Sequence, residues 1–129
     1  MATKVHSGWI GVDLDGTLAE YDCWRGATHI GAPVAAMVER VKAWIKDGYE
    51  VRIFTARVFC PKEEAPGGPR YKEAVDARLA IQDWCREHLG MELIVTCEKD
   101  YAMIEVWDDR CVQVEPNTGI PIGNSYLER

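Results

Sequence analysis

The sequence predicts an α/β domain built on a mainly parallel, five-stranded sheet. Short, nearly continuous apolar runs such as "WIGVDL" read as parallel strands covered on both faces. They alternate with segments whose apolar residues recur every three or four positions, the period of a helix. Glycines and prolines stand at the junctions, where chain reversals need them. Right-handed crossovers in such a series bring the carboxyl ends of the parallel strands to one edge of the sheet.

The first strand is expected over "WIGVDL". A helix follows in "PVAAMVERVKAWIKDG", where Pro33 suits the first turn, Gly48 the stop, and Val34, Val38, Val41 and Ile45 form the apolar stripe. The second strand is "YEVRIFTA", in which Val51, Ile53 and Thr55 alternate with Arg52 and Phe54. A second helix runs from about Tyr71 to Leu89 and ends at Gly90, leading into a third strand at "ELIVT". "MIEVWDD" and "CVQVE" supply the last two strands. There is no internal repeat and no linker, so residues 1–129 are expected to form one domain. The Gly/Pro-rich "PKEEAPGGPR", within residues 57–70, reads as a mobile loop over the carboxyl edge.

Composition narrows the setting. A hydrophobic content of 47% supports a real core, and five cysteines without a CxxC pair suggest neither a disulfide framework nor a zinc site. The sequence lacks the apolar stretch of a signal peptide or a membrane span, so a cytoplasmic protein with no membrane partner is expected. A formal net charge of -6 argues against binding extended nucleic acid, while leaving room for a local basic patch around a small anion.

The chemistry concentrates in "GVDLDGTLAE". Side chains alternate along a strand, so Asp13 and Asp15 are expected on one side of the first strand, at the edge where open α/β sheets bind ligands. Two carboxylates so close repel each other, and either a divalent cation such as Mg2+ or a shared proton relieves the repulsion. Gly16 permits a sharp turn after the pair, and Thr17 can hydrogen-bond locally. A solvated strand-to-turn junction uses the same residue types. Three later features add to the pair: Thr55 ends the second strand in "IFTAR", Lys99 precedes the fourth in "TCEKDYAMI", and Asp108 and Asp109 end the fourth in "VWDDR".

In that chain order, the residues resemble the four motifs of the haloacid dehalogenase superfamily of phosphotransferases and phosphatases. "DLDGT" is similar to the first motif, Thr55 to the second, Lys99 to the third and the Asp108 and Asp109 pair to the fourth, over residues 9–115. The resemblance implies a Rossmann-like three-layer sandwich. It also implies a phosphomonoester hydrolase in which Asp13 is the nucleophile that becomes an aspartyl-phosphate and Asp15 is the general acid and base. Thr55 and Lys99 would hold the phosphoryl oxygens, with Gly16 and Ala56 beside them. Mg2+ would lie between Asp13, the main-chain carbonyl of Asp15 and Asp108, with Asp109 as a further ligand, a partner of Lys99 or the group that positions a metal-bound water. Asp15 stands where the superfamily's ion-pumping ATPases carry threonine, which favours rapid hydrolysis.

The resemblance also implies a minimal member with no large cap domain. Residues 19–32 would form a small flap, with Tyr21, Trp24, Arg25 and His29 as substrate contacts. Arg57 and Arg70 are candidates for a second anionic group. The partner would be a small phosphorylated metabolite or a nucleotide, and a homo-oligomer would close the open site. Three other readings compete. A receiver domain carries its accepting aspartate at the end of the third strand, where "ELIVT" has none. An EF-hand places its glycine later than "DLDG" does. The third is a non-catalytic Mg2+- or phosphate-binding module on the same fold.

Overall fold

The structure is a computed structural model that describes residues 6–64, 66–125 and 127. Its main sheet has four strands, β1 (Trp9–Val12), β2 (Glu50–Phe54), β3 (Ile94–Thr96) and β4 (Met103–Trp107), in the order β3-β2-β1-β4. All three pairings are parallel. Helix α1 (Ala35–Lys46) joins β1 to β2, and α2 (Pro69–Leu89) joins β2 to β3. This is an α/β fold of broadly Rossmann-like kind, and among its described helices none is long and apolar enough to cross a membrane.

The expected fifth strand does not join this sheet. Within "CVQVE" only Gln113–Val114 is extended, as β5, and it pairs antiparallel with β6 (Pro121–Ile122) in a separate hairpin. The turn between them closes locally through Glu115 N–H to the Ile120 carbonyl at 2.8 Å, with Asn117 at a φ of 67°. Pairing across so short a turn costs less chain entropy than returning to a distant sheet edge.

The expectation of three layers also fails among the described residues. Both crossovers run in the same direction along the sheet, so both helices lie on one face. Met37, Val38 and Val41 of α1 and Ile81, Trp84, Cys85 and Leu89 of α2 share one core with Ile10, Val12, Val51, Ile53 and Val95. The opposite face carries Trp9, Gly11, Arg52 and Phe54, and the segment 97–102 crosses it from β3 to β4. Trp9 is buried there because its ring lies 4.6 Å from the Arg52 guanidinium and its Nε1 donates to Asp100 Oδ1 at 2.8 Å. Ile94 and Val106, beside Arg52 and Gly11, remain exposed on that face, and Ile104, at the bulge in the β1–β4 pairing, is exposed as well. A continuous apolar run does not show which face finds a partner, and here, among the described residues, one face is covered by helices and the other only in part.

Element ends differ from the sequence reading in small ways. β1 stops at Val12, so Asp13 and Leu14 already leave the strand. Pro33 lies before α1, where it bridges to Ala19, while Gly48 stops the helix at a φ of 91°. The loop expected over residues 57–70 begins later than its composition suggested, because Ala56–Val58 form a 3-10 turn that buries Arg57 and Val58.

The flap over residues 19–32 is pinned at its base. Glu20 N–H donates to the Ala32 carbonyl and Val34 N–H to the Leu18 carbonyl, both at 2.8 Å, and Trp84 Nε1 donates to the Gly31 carbonyl at 3.0 Å. The two flap strands come so close that a Cβ on Gly31 would lie 2.0 Å from the Glu20 carbonyl oxygen. Gly31→Ala should therefore destabilise the protein by about 1–3 kcal/mol, the usual cost of overpacking, despite the smaller entropy that alanine leaves in the unfolded chain. Urea denaturation checks this, and an unchanged or higher midpoint would show that the flap base is loose.

Candidate active site

The site is built by strand register. Val12 of β1 lies beside Trp107 of β4, and Asp13 N–H extends that ladder by donating to the Trp107 carbonyl at 2.8 Å. The residue after Val12 is thereby set beside the residues after Trp107. Asp13, Asp108 and Asp109 each offer a carboxylate oxygen, all within 4.8 Å of one another, and all three residues are half-buried.

A compact loop after Asp13 completes the cluster. The Leu14 carbonyl accepts from Leu18 N–H at 3.0 Å and Ala19 N–H at 2.9 Å, and Leu14 and Leu18 are fully buried. Gly16 has a φ of 86°, and a Cβ there would come 2.7 Å from Asp109 Oδ2. Backbone conformation and close approach both require glycine at this point. Thr17, which the sequence reading left outside the site, sits between two of the acids. Its Oγ1 accepts from Asp109 N–H at 3.0 Å and lies 3.4 Å from both Asp13 Oδ2 and Asp109 Oδ1. Its one hydroxyl proton can serve only one of those carboxylates at a time. The signal for it was present, since it directly follows Gly16 in "DLDGT".

Asp15 does not share the cluster, contrary to the expectation that the two aspartates face the same way. The strand has ended before it, and its side chain is gripped by Arg57, whose Nε donates to Oδ2 and Nη2 to Oδ1, each at 2.8 Å. Arg57 is buried, also donates to the Ala27 carbonyl at 2.9 Å, and lies 4.9 Å from the centre of the Trp24 ring. Crowding at Asp13 therefore comes mainly from elsewhere. Its carboxyl is pushed up to about 8, first by burial, then by Asp108 and Asp109, and least by Asp15.

The remaining predicted residues divide. Thr55 is buried, extends the β2–β3 ladder through its N–H to the Thr96 carbonyl at 2.9 Å, and its Oγ1 accepts from Arg57 N–H at 3.2 Å. Thr55 and Ala56 line a cavity of about 660 Å³ together with Asp13, Asp15, Asp108 and Asp109. Tyr21, Trp24, Arg57 and Arg70 line it too, as do Phe54, Phe59, Cys97 and Arg110, which sequence reasoning missed. Arg25 pairs with Asp22 at 2.8 Å and does not line the cavity, nor does His29. Lys99 is exposed and outside the lining as well, at the start of the crossing segment. Its charge reaches Cys111, whose thiol burial pushes up, as Asp108, Asp13 and Asp109 do more weakly, while Lys99 opposes the shift.

The chain matches no family model, no curated protein and no solved structure. What the site can do must come from its donors. Three convergent carboxylate oxygens suit a hard divalent cation, which prefers oxygen ligands, so the cluster can hold a metal. The five cysteines are all free, and none belongs to this donor set.

The raised Asp13 carboxyl makes metal-free stability depend on pH. Between the ordinary value of 3.8 and about 8 the folded protein binds a proton that the unfolded chain releases, so this group lowers stability as pH rises through that window. Removing the charge should relieve the cost. In EDTA, Asp13→Asn should be more stable than the parent by about 1–3 kcal/mol at pH 7.5, with a smaller difference at pH 5. Thermal denaturation at the two pH values reads the effect, and a difference that shrinks with rising pH would contradict it.

Proposed function

We propose that the protein is a Mg2+-dependent phosphomonoester hydrolase working through an aspartyl-phosphate on Asp13. The observation that carries this reading is the meeting of Asp13 with Asp108 and Asp109 at adjacent strand ends, opening on the same cavity as Asp15 and Thr55. Asp13, Asp108 and Asp109 would hold the cation, together with the Asp15 carbonyl suggested by the family resemblance. A bound Mg2+ supplies positive charge that keeps Asp13 ionised and offsets the charge of the transferring phosphoryl group.

The chain's own groups then have defined tasks. A carboxylate oxygen of Asp13 attacks phosphorus while the bond to the alcohol oxygen breaks, and Asp15 gives that oxygen its proton. Asp15 next takes a proton from water, which attacks the aspartyl-phosphate, releases inorganic phosphate and restores Asp13. For either step Asp15 must free one oxygen from the Arg57 fork. Thr55 and Ala56 border the phosphoryl position, and Lys99 contributes only if its exposed side chain turns toward the cavity. The five free cysteines support work in a reducing cytosol. The Arg57 grip on Asp15 also favours a second reading, in which the same donors bind Mg2+ or phosphate without turnover.

Asp13→Asn should abolish phosphatase activity, since an amide cannot form the acyl phosphate, and EDTA should do the same reversibly to the unaltered protein. Mg2+-dependent hydrolysis by the variant at the parent's rate would remove the covalent mechanism. Asp15→Asn separates the two steps. With nitrophenyl phosphate, whose leaving group scarcely needs a proton, rapid quench should show a burst of about one equivalent per site and then turnover slowed by about 10²–10⁴-fold. A steady state as fast as the parent's would place the acid and base elsewhere. No turnover by the unaltered protein with any phosphomonoester would favour the binding module.

A further inference from the structure

The cavity beside the acid cluster has walls whose chemistry has no part in phosphoryl transfer. Both phenylalanines of the chain, Phe54 and Phe59, line it together with Tyr21 and Trp24. Tyr21, Trp24 and Phe59 are 42%, 53% and 51% exposed, so three large ring surfaces meet water around one opening. Rings left in water at a concave site offer flat, apolar faces to a ligand. A sugar can also lay its C–H face on a ring, but a planar aromatic base presents the larger flat apolar face and gains more from stacking on one.

Trp24 is held ready for such a ligand. The Arg57 guanidinium lies 4.9 Å from its ring centre, and Arg57 is itself fixed by Asp15 and the Ala27 carbonyl. One side of the indole is thus occupied by a guanidinium anchored to the first motif, while half of the residue stays open. An aromatic surface fixed before binding loses little entropy when a planar group stacks on it. Arg57 touches both Asp15 and Trp24, so the stacking surface and the acids of the same cavity are joined through one side chain. The volume, about 660 Å³, lies within the range of small-molecule sites.

We propose that the substrate is a nucleoside monophosphate, with its phosphate at Asp13 and its base stacked on the ring wall formed by Trp24 and Phe59. This rests on the hydrolase reading for the placement of the phosphate. A single nucleotide fits better than a long strand, because Arg57 and Arg70 are engaged by Asp15 and Glu73 and the net charge is -6.

Calorimetric titration with Mg2+ present tests the proposal on Asp13→Asn protein, which leaves the ligand intact. Adenosine monophosphate, as the 5′ and the 3′ isomer, is compared with ribose 5-phosphate and with a short oligonucleotide bearing a terminal 3′ phosphate. The better adenosine isomer should bind roughly 5- to 150-fold more tightly than ribose 5-phosphate, the effect of one base on one aromatic side chain. Trp24→Leu and Phe59→Leu keep apolar bulk without a stacking ring, and each should weaken the nucleotide more than the sugar phosphate. Equal affinities for nucleotide and sugar phosphate, or equal losses in the leucine variants, would overturn the proposal. Much tighter binding of the oligonucleotide would overturn its restriction to a single nucleotide. Hydrolysis by the unaltered protein is scored separately, so a base preference without turnover would sink the hydrolase reading and leave the stacking site standing.

Discussion

The parallel pairing of β1 with β4 is the constraint on which the rest of the site depends. β2 lies on one side of β1, and the chain passes through β3 before returning to the other side of β1 as β4. The neighbours of β1 therefore come from connections running in opposite directions, which opens a crevice beyond the strand ends. The register of that ladder, extended by the hydrogen bond from Asp13 N–H to the Trp107 carbonyl, then fixes which residues meet there. A slip of one residue would turn the side chains of β4 to the other face and separate Asp13 from Asp108 and Asp109.

This arrangement concentrates like charge at a cost to the fold. Three half-buried carboxylates converge where no lysine or arginine forms an ion pair with Asp13 among the described contacts. Gly16 and Thr17 make the approach sterically feasible, the first by lacking a Cβ and the second by bridging Asp13 and Asp109. Sites that concentrate like charge commonly cost stability in this way, and a cation is the natural remedy. Arg57 performs a different task a few ångströms away. It joins Asp15, the flap carbonyl of Ala27 and the Trp24 ring, so the geometry of the flap and that of Asp15 are coupled through one buried guanidinium.

The partly covered face of the sheet is a consequence of the same topology. Two helices suffice to cover Ile10, Val12, Val51 and Ile53, while the β3–β4 connection is only the short segment 97–102 and carries no helix. Trp9, Arg52 and Asp100 cover part of the opposite side, and Ile94, Ile104 and Val106 stay exposed. That distribution places the bulk of the apolar packing beneath the site, in the layer shared by β1, β2 and the helices. The cluster at the carboxyl edge thus stands directly above the apolar core shared by β1, β2 and the two helices.

Much of this was legible in the sequence because it rests on local periodicity and turn chemistry. The alternation of "WIGVDL", "YEVRIF" and "ELIVT" with two helical stripes, and the stops at Gly48 and Gly90, specify an α/β chain without reference to distant contacts. Residues that directly follow strands, namely Asp13, Thr55, Asp108 and Asp109, could be placed at one edge for the same reason. Tertiary structure decided what depends on pairing between distant segments. It left "CVQVE" out of the main sheet, put both helices on one face, turned Asp15 to Arg57 while Asp13 joined Asp108 and Asp109, and kept Lys99 out of the cavity lining. The physical reason is that period and propensity describe how a segment faces its immediate surroundings. The partner of each face, and of each charged side chain, is set by strand order and by the paths of the connections, which no local pattern encodes.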